Sequence, residues 1–276
     1  MFFSRIFVFK RIILILLSCF LLFSCGRIDK VVSPVAVDSA PKKKIDVETI
    51  PNAIPKREPK SRYGNPKSYV VFGKRYYVMD SGKGYIEKGI ASWYGTKFHG
   101  RRTSSGETYD MYAMTAAHKS LPLPTYVKVT NLSNDKFIVV KVNDRGPFHE
   151  NRIIDLSYTA AIKLDIIQKG TGLVEVKAID PEEPKEDNLV KDDKISTQDT
   201  SFYIQVGTFS KLESAKKLKQ KLDSFGDNLI KISNVIVSGN TLYRVRIGPF
   251  TDTKLSDSIV SKLSDFGIFE HRIVTN

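Results

Sequence analysis

Cysteine is almost absent from this 276-residue chain. The two cysteines, Cys19 and Cys25, both fall within the first 25 residues. The remainder of the chain therefore has no disulfide to cross-link it, and its domains must be held together by their apolar cores.

The N-terminus lacks an apolar run long enough for a comfortable membrane span. Arg5, Lys10 and Arg11 precede the apolar residues 12–23, which is the pattern of a secretory signal. The following residues resemble a bacterial lipobox, with Cys25 as the acylated position. We therefore predict a lipoprotein signal peptide over residues 1–25; a plain signal peptide or an uncleaved anchor is the alternative.

Basic residues are in excess, but no segment concentrates them. The formal net charge of +13 is spread along the chain and is interrupted only by an acidic stretch at 181–200. A membrane or cell-wall surface explains this distribution as well as nucleic acid does. The sheet predicted for residues 201–276 lacks the aromatic pair of RNA-binding sheets, so we expect no nucleic-acid partner.

Common catalytic signatures are missing as well. The chain has neither the HExxH nor the HxxxH spacing of zinc sites, and it has no GxSxG nucleophile elbow. His99, His118 and His149 stand too far apart in sequence to form a familiar zinc motif. We therefore predict neither a metal nor a cofactor.

Composition divides the chain into segments. Prolines scattered among lysine, serine and valine predict a disordered tether over residues 26–62, and the acidic stretch predicts a solvated linker. The predicted order is signal peptide 1–25, tether 26–62, extended arm 63–84, first domain 85–180, acidic linker 181–200 and second domain 201–276.

The first domain is predicted to be a small β-barrel. Short β-branched and aromatic runs alternate with turns, and Tyr126–Val142 has the pattern of a hairpin. One helical run begins at Ser157, and we expect it to end at Lys169-Gly170. About six short strands with one helix favour a closed barrel over an open sheet.

The second domain contains an internal repeat. Tyr203–Phe209 matches Arg244–Phe250, with glycine on glycine and phenylalanine on phenylalanine. Each strand leads into a run with helical spacing and then into a further strand. The order βαββαβ predicts a ferredoxin-like sandwich with one open sheet face, so the fold class is mainly β followed by α+β.

Asp144 stands where a strand meets Arg145-Gly146-Pro147. Glycine and proline end the strand, and such a strand end can present a polar group to a substrate. An aspartate at a turn also commonly caps local N–H groups or pairs with a neighbour, here Arg145. Both interpretations stay open on this segment alone.

Further candidate groups lie in the same domain. Glycosidic cleavage needs a carboxyl group to protonate the leaving oxygen and a group to stabilise the oxocarbenium-like centre. The candidates are Glu107, Asp110, Asp144, His118, Trp93, Tyr94 and Tyr109. As alternatives, the aromatic rings belong to the core, Glu107 holds the loop at Arg101–Arg102, and His118 is a satisfied structural histidine.

Several motifs follow one another through the first domain: Gly89–Gly95, Phe98–Arg101, Gly106–Asp110, Thr115–Pro124, Val142–Phe148 and Arg152–Ser157. In this order they resemble the rare lipoprotein A (RlpA) family of bacterial septal-ring lytic transglycosylases. The first domain is then similar to a double-psi β-barrel, and the second resembles a SPOR domain.

The resemblance implies cleavage of the MurNAc-β-1,4-GlcNAc bond of peptidoglycan without water, which leaves 1,6-anhydro ends on strands stripped of peptide stems. It implies that Asp144 is the general acid and then the base, supported by Glu107, Asp110 and His118. The predicted sugar contacts of the barrel are Trp93, Tyr94, Tyr109 and Arg145. The predicted glycan contacts of the SPOR-like domain are Gln205, Thr208, Leu242 and Arg244, although an aromatic residue is usual where Leu242 stands.

The resemblance also implies a cellular setting. We expect a lipoprotein at the periplasmic face of a membrane, favouring the outer membrane, that acts in wall remodelling and daughter-cell separation with unidentified division-site proteins. The alternative is a peptidoglycan-binding or expansin-like wall-loosening lipoprotein without catalysis.

Overall fold

The computed structural model describes residues 38–41, 46–182 and 201–275. The predictions for the signal peptide, Cys25 and nearly all of the acidic linker lie outside the described residues. Among the described residues, no helix combines the length and the apolar character needed to cross a bilayer.

Six strands close into a barrel, as the strand pattern predicts. They are β3 (Ile86–Trp93), β4 (Thr115–His118), β5 (Thr125–Asn131), β6 (Phe137–Asp144), β7 (Ile154–Leu156) and β8 (Gly172–Ile179). The order around the barrel is β3-β7-β4-β6-β5-β8. Pairs β3–β7 and β4–β6 are parallel, and the others are antiparallel. The predicted hairpin is the β5–β6 pair.

The barrel is held by the inward residues of its strands. Val127, Val129, Val140, Val142 and Val176 are fully buried in one apolar cluster. Strand alternation turns the residues between them outward, so each strand needs only every second position for the core. The predicted closed barrel is confirmed.

Helix α1 (Tyr158–Lys163) packs against the barrel and begins as predicted. The side chain of Ser157 accepts a hydrogen bond from the N–H of Ala160, which caps the helix. The helix ends earlier than the predicted Lys169-Gly170, because Asp165 adopts a left-handed conformation with φ +61°.

The segment before the barrel differs from the predicted disordered tether. From residue 46 onward it lies against the barrel, with Val47 buried and the N–H of Ala53 donating to Val139 O at 3.0 Å. Proline excludes helix and a central strand, but it allows an extended segment that packs by side chains and single hydrogen bonds. In the structure this segment is continuous with the predicted arm, and residues 46–84 are called the arm below. The arm contains a hairpin of β1 (Ser68–Val71) and β2 (Lys74–Tyr77).

The C-terminal domain has the predicted βαββαβ order. Its elements are β9 (Phe202–Phe209), α2 (Leu212–Lys221), β10 (Ile230–Val237), β11 (Asn240–Phe250), α3 (Thr253–Leu263) and β12 (Arg272–Thr275). The sheet order is β10-β11-β9-β12. Ile204, Val206, Val245 and Ile247 are buried beneath the helices, as alternation predicts.

The two domains pack on each other. Ile90, Leu132 and Leu173 of the barrel join the apolar core of the C-terminal domain. Beside them, the guanidinium of buried Arg152 forms an ion pair with Asp257 of α3. Composition alone does not reveal this contact, because the partners are about a hundred residues apart in sequence.

Candidate active site

Asp144 is the last residue of β6, and its carboxylate is fixed by neighbouring donors. Its Oδ1 accepts hydrogen bonds from the backbone N–H of Ser104 at 2.7 Å, the hydroxyl of Ser104 at 2.6 Å and the N–H of Arg145 at 2.7 Å. Charge-assisted bonds of this kind orient a carboxylate strongly. Within the described part of the chain Oδ2 makes no hydrogen bond, so one oxygen of this partly exposed group can meet a substrate.

Glu107 lies beside Asp144, joined to it through Asn143. The Glu107 Oε2 accepts from Asn143 Nδ2 at 2.7 Å, and its Oε1 pairs with Lys141 Nζ at 2.8 Å. Partial burial raises the pKa of Glu107, but the bonds from Asn143 and Lys141 outweigh it and lower the pKa overall. Glu107 is therefore an ionised carboxylate at neutral pH.

The loop that carries Glu107 is anchored to β6. The N–H of Ser105 donates to Asn143 O at 3.2 Å, and the N–H of Thr103 donates to Glu107 O at 2.8 Å. These bonds bring Ser104 and Glu107 to the same strand end as Asp144. The structure thus brings together two of the four residues predicted to be catalytic, Glu107 and Asp144.

His118 lies on β4 next to this strand end, but its imidazole is buried. Nδ1 accepts from the backbone N–H groups of Ser120 at 3.2 Å and Leu121 at 3.0 Å, and Nε2 is 2.8 Å from the hydroxyl of Tyr85. Burial lowers the pKa of His118 to about 3, helped by the charges of Arg145 and Lys119. The neutral ring therefore carries its proton on Nε2 and donates to Tyr85.

Among the described residues, the His118 imidazole makes no hydrogen bond to Asp144 or Glu107. The imidazole satisfies the backbone turn that follows β4. His118 contacts the Asp144 turn through its main chain, where His118 O accepts a hydrogen bond from Arg145 Nη1 at 3.1 Å.

Arg145 is engaged inside the protein rather than held out to a substrate. Its guanidinium donates to Gly64 O at 2.8 Å, Leu121 O at 2.6 Å and Asn65 Oδ1 at 3.1 Å. These bonds tie the arm and the loop after β4 to the Asp144 turn. Arg145 thus has a structural role in this arrangement, and few of its N–H groups are left for a ligand.

Asp110 lies apart from the other carboxylates. Its Oδ1 accepts from the N–H of Tyr112 at 2.9 Å and is 3.7 Å from His99 Nδ1. An exposed aspartate bonded to the second residue after it is a local turn cap. The structure does not bring Asp110 to Asp144.

The predicted sugar-stacking aromatics are mostly core residues. Tyr94 and Tyr109 are 7% and 2% exposed, and their rings stack with centroids 4.1 Å apart. The Tyr109 hydroxyl donates to Tyr94 O at 2.6 Å. Neither of these buried ring faces is open to a sugar in this structure. Trp93 is half-buried and meets Tyr158 edge to face.

Asp155 is a carboxyl group that the sequence reasoning missed. Ala117 pairs with Asp144 on one side and with Asp155 on the other, so the two aspartates flank one residue of β4. Oδ1 of Asp155 accepts a hydrogen bond from the hydroxyl of Ser92. Burial raises the pKa of Asp155 to about 6, against lowering by Ser92. In the sequence, Asp155 stands between two apolar residues, Ile154 and Leu156. An acid enclosed in this way within a short strand is the pattern that could have indicated it.

A metal site does not emerge from the described residues, among which no cluster of three or more histidine, cysteine or acidic side chains is placed to hold an ion. The chemistry available at the strand end is that of carboxyl groups and hydrogen-bond donors.

The open sheet face of the C-terminal domain carries the other predicted residues. Gln205 is 6% exposed, donates to Thr208 Oγ1 at 3.2 Å and accepts from Arg246 Nε at 3.4 Å. Arg244 pairs in register with Thr208, and Leu242 follows on the same face of β11. The predicted glycan contacts therefore share one face, with Gln205 largely covered.

This face is basic. In register, Lys231 lies opposite Arg246, and both Arg246 and Arg272 lie opposite Gln205. Residues directly opposite each other on neighbouring strands project to the same side. Together with Arg244 they give this face four cations, a charge that suits an anionic ligand.

Two family models match the chain, one in each domain. Residues 86–176 match the family model described as "Lytic transglycolase", and residues 198–269 match that of the SPOR domain. A solved structure, the RlpA SPOR domain from Pseudomonas aeruginosa, is 27% identical, with a TM-score of 0.25 over 26% of this chain and 96% of that one.

Two relatives match over most of their length. The endolytic peptidoglycan transglycosylase RlpA of Vibrio cholerae is 43% identical, over 96% of this chain and 94% of the relative. The protein of the same name from Pseudomonas aeruginosa is 39% identical, over 77% of this chain and 76% of the relative. With both domain models matched as well, the chain belongs to the RlpA family of endolytic peptidoglycan transglycosylases.

Proposed function

We propose that the protein is a lytic transglycosylase that cleaves the MurNAc-β-1,4-GlcNAc bond of peptidoglycan. The observation that carries this proposal is the end of β6, where Asp144 has one oxygen held by three donors and the other available, with ionised Glu107 beside it. A positioned carboxyl group next to negative charge is what a reaction through an oxocarbenium-like centre requires.

In the proposed mechanism the Asp144 carboxyl protonates the glycosidic oxygen as the bond to the muramyl C1 breaks. Its carboxylate then accepts the proton of the muramyl 6-hydroxyl as that oxygen bonds to C1. The proton returns to Asp144, no water is consumed, and the muramyl residue ends as a 1,6-anhydro sugar. The negative charge of Glu107 stabilises the positive centre between the two steps.

Asp155 is a second candidate for the proton donor. Its raised pKa, about 6, means that it retains a proton under mildly acidic conditions, as a general acid must. Its position across Ala117 from Asp144 gives the site two carboxyl groups in different environments, the arrangement by which acid and base roles are divided.

The activity is tested by digesting amidase-treated sacculi and identifying the products by mass spectrometry. Wild-type protein is expected to release anhydro-muramyl products, and Asp144→Ala is expected to reduce their rate at least about a hundredfold. Absence of such products with wild type, or an equal rate with Asp144→Ala, contradicts the assignment and favours the non-catalytic wall-loosening alternative.

We propose that the C-terminal domain binds peptide-stripped glycan through its open basic face. Removal of peptide stems by an amidase leaves a carboxylate on each muramyl residue, and Arg244 and its neighbouring cations complement that charge. Binding to amidase-treated and untreated sacculi in a pull-down tests this. Stronger binding to treated sacculi, weakened by Arg244→Ala, is expected; equal binding to both materials is evidence against it.

We further propose that the protein is a lipoprotein acylated at Cys25, held at the periplasmic face of the outer membrane and acting at division sites. The lipobox-like sequence before Gly26 and the family membership support this. Metabolic labelling with a clickable fatty acid is expected to label the wild type but not Cys25→Ala.

A further inference from the structure

The arm contributes a carboxylate to the neighbourhood of the site. The transglycosylase family model matches residues 86–176. Glu58 lies before this range, and the match therefore assigns it no role in the reaction. We propose that Glu58 is a positioning residue: by sharing Lys141 with Glu107, it keeps that cation from neutralising the Glu107 carboxylate beside Asp144. This inference rests on the proposed function.

The contacts form a continuous row. Lys141 Nζ lies 3.1 Å from Glu58 Oε2 and 2.8 Å from Glu107 Oε1, and Glu107 in turn meets Asn143. The other oxygen of Glu58 accepts from the hydroxyl of Tyr126. The Lys141 and Glu58 side chains are 18% and 23% exposed, so these bonds are shielded more than a surface ion pair is.

Glu58 and Glu107 share the ammonium group of Lys141, the one cation that contacts Glu107 among the described residues. A second cation, Lys56, lies 3.9 Å from Oε1 of Glu58, but its side chain is 68% exposed and does not contact Glu107. The Glu107 carboxylate, beside Asn143 and Asp144, therefore has only a shared counter-charge. Without Glu58 the same ammonium group would serve Glu107 alone, and that pair would be neutral. Because the reaction develops positive charge at the sugar, a carboxylate without its own counter-ion stabilises that charge better than a neutral ion pair does.

The arm is held firmly enough to place Glu58. On one side of it the N–H of Ala53 bonds to Val139 O; on the other the N–H of Ser61 donates to Leu123 O at 2.8 Å. Further along, Asn65 accepts from the N–H of Leu123 at 2.8 Å and also meets Arg145. Glu58 is thus fixed between anchor points on the barrel, as a positioning residue must be.

The test is Glu58→Gln in the full exported chain. Glutamine keeps the size of the side chain and can still accept from Tyr126, but it cannot form an ion pair with Lys141. The matched control is Glu182→Gln, which removes an exposed ion pair between residue 182 and Arg57 of the arm, 2.9 Å long and away from Lys141.

The measurement is the pKa of the Glu107 carboxyl, which a merely structural role of Glu58 would leave unchanged. Carbon-13 NMR follows the titration, and the Glu107→Gln variant assigns the Glu107 signal. The charged and titratable groups facing Glu107 are Lys141 on β6, Tyr126 on β5 and Glu58 of the arm. Loss of Glu58 is expected to lower the Glu107 pKa by about half a unit, since a like charge disappears and Lys141 turns wholly to Glu107.

In the same variant kcat on amidase-treated glycan is expected to fall by about three- to tenfold with little change in KM, whereas Glu182→Gln leaves both values unchanged. An unchanged Glu107 titration in Glu58→Gln overturns the proposal, whatever happens to stability. A shifted titration with unchanged kcat overturns the catalytic part of it. The titration needs no turnover, so its result is independent of whether the proposed function holds.

Discussion

Ser104 is the side chain on which the orientation of Asp144 most directly depends. It supplies two of the three hydrogen bonds to Oδ1, one from its backbone and one from its hydroxyl. Ser104 lies in a loop forty residues before Asp144, and nothing in the sequence indicates that the two residues are in contact. Serine at this position lets one residue offer two donors to one oxygen.

Ser104→Ala removes the hydroxyl donor and keeps the backbone donor. We expect kcat to fall about tenfold, because Asp144 loses a charge-assisted bond, while the free energy of unfolding falls by only about 1 kcal/mol. Steady-state kinetics and urea denaturation measure the two effects. Ser105→Ala is the comparison, because the Ser105 hydroxyl meets Thr103 and, at 3.5 Å, the N–H of Glu107, but makes no bond to Asp144. An equal loss of kcat in both variants would show that the loop as a whole matters.

Because the pKa of Asp155 is raised, we expect the stability of the protein to depend on pH. Folding raises its pKa to about 6, so the ionised form is penalised in the folded state. The wild type therefore loses stability as pH rises from about 4 to about 6, and remains penalised above that. Asp155→Asn removes the penalty, and its free energy of unfolding relative to wild type should rise by on the order of 2 kcal/mol between about pH 4 and pH 7.5.

Urea denaturation at the two pH values measures this difference. Asp165→Asn is the control, because Asp165 has an exposed ion pair with Lys136 and asparagine suits its left-handed backbone. A pH-independent difference for Asp155→Asn would mean that the carboxyl is not penalised by its surroundings.

At the scale of elements, pairing patterns were predictable and the ends of elements were less so. The β5–β6 hairpin follows from two alternating runs around an asparagine-rich turn. The early end of α1 depends on the left-handed backbone conformation of Asp165, which the spacing of apolar residues does not indicate. The predicted disordered tether differs from the structure over residues 46–62, because Pro51, Pro55 and Pro59 give the same composition to a disordered tether and to an extended segment packed by its side chains.

Asn65 is the residue that fastens the arm. Its amide donates to Ser61 O at 3.1 Å and Leu123 O at 2.7 Å, and its carbonyl oxygen accepts from Leu123 N and Arg145. Asn65→Ala should lower the free energy of unfolding by about 2 kcal/mol, since several partly buried polar groups lose their partners. Limited proteolysis should then cut the arm first. Lys67→Ala is the control, and equal protease resistance in both variants would count against this role.

At the scale of the whole molecule, the domain classes followed from the sequence but their packing did not. A strand pattern with one helix predicts a barrel, and an internal repeat predicts βαββαβ. The residues that join the domains, Arg152 and Asp257, belong to different motifs and show no pattern that pairs them. Their ion pair, together with Ile90 and Leu173 in the apolar contact, makes the domains one packed unit.

Cleavage of the chain between the domains tests this packing. With a protease site inserted in residues 183–200, the two fragments should elute together in size-exclusion chromatography. Asp257→Ala should separate them, because it leaves the Arg152 guanidinium buried without a counter-charge. Asp265→Ala, at an exposed position, should not. Fragments that separate without any substitution would show that the domains are joined only by the linker.

The most direct test of the central claim is the oxygen balance of the reaction at the Asp144 site. Amidase-treated sacculi are digested in water labelled with oxygen-18, and the new muramyl ends are analysed by mass spectrometry. Wild type should give unlabelled 1,6-anhydro-muramyl ends, and Asp144→Asn should give almost none. Labelled reducing muramyl ends, or anhydro ends formed equally fast by Asp144→Asn, would contradict intramolecular ring closure assisted by Asp144.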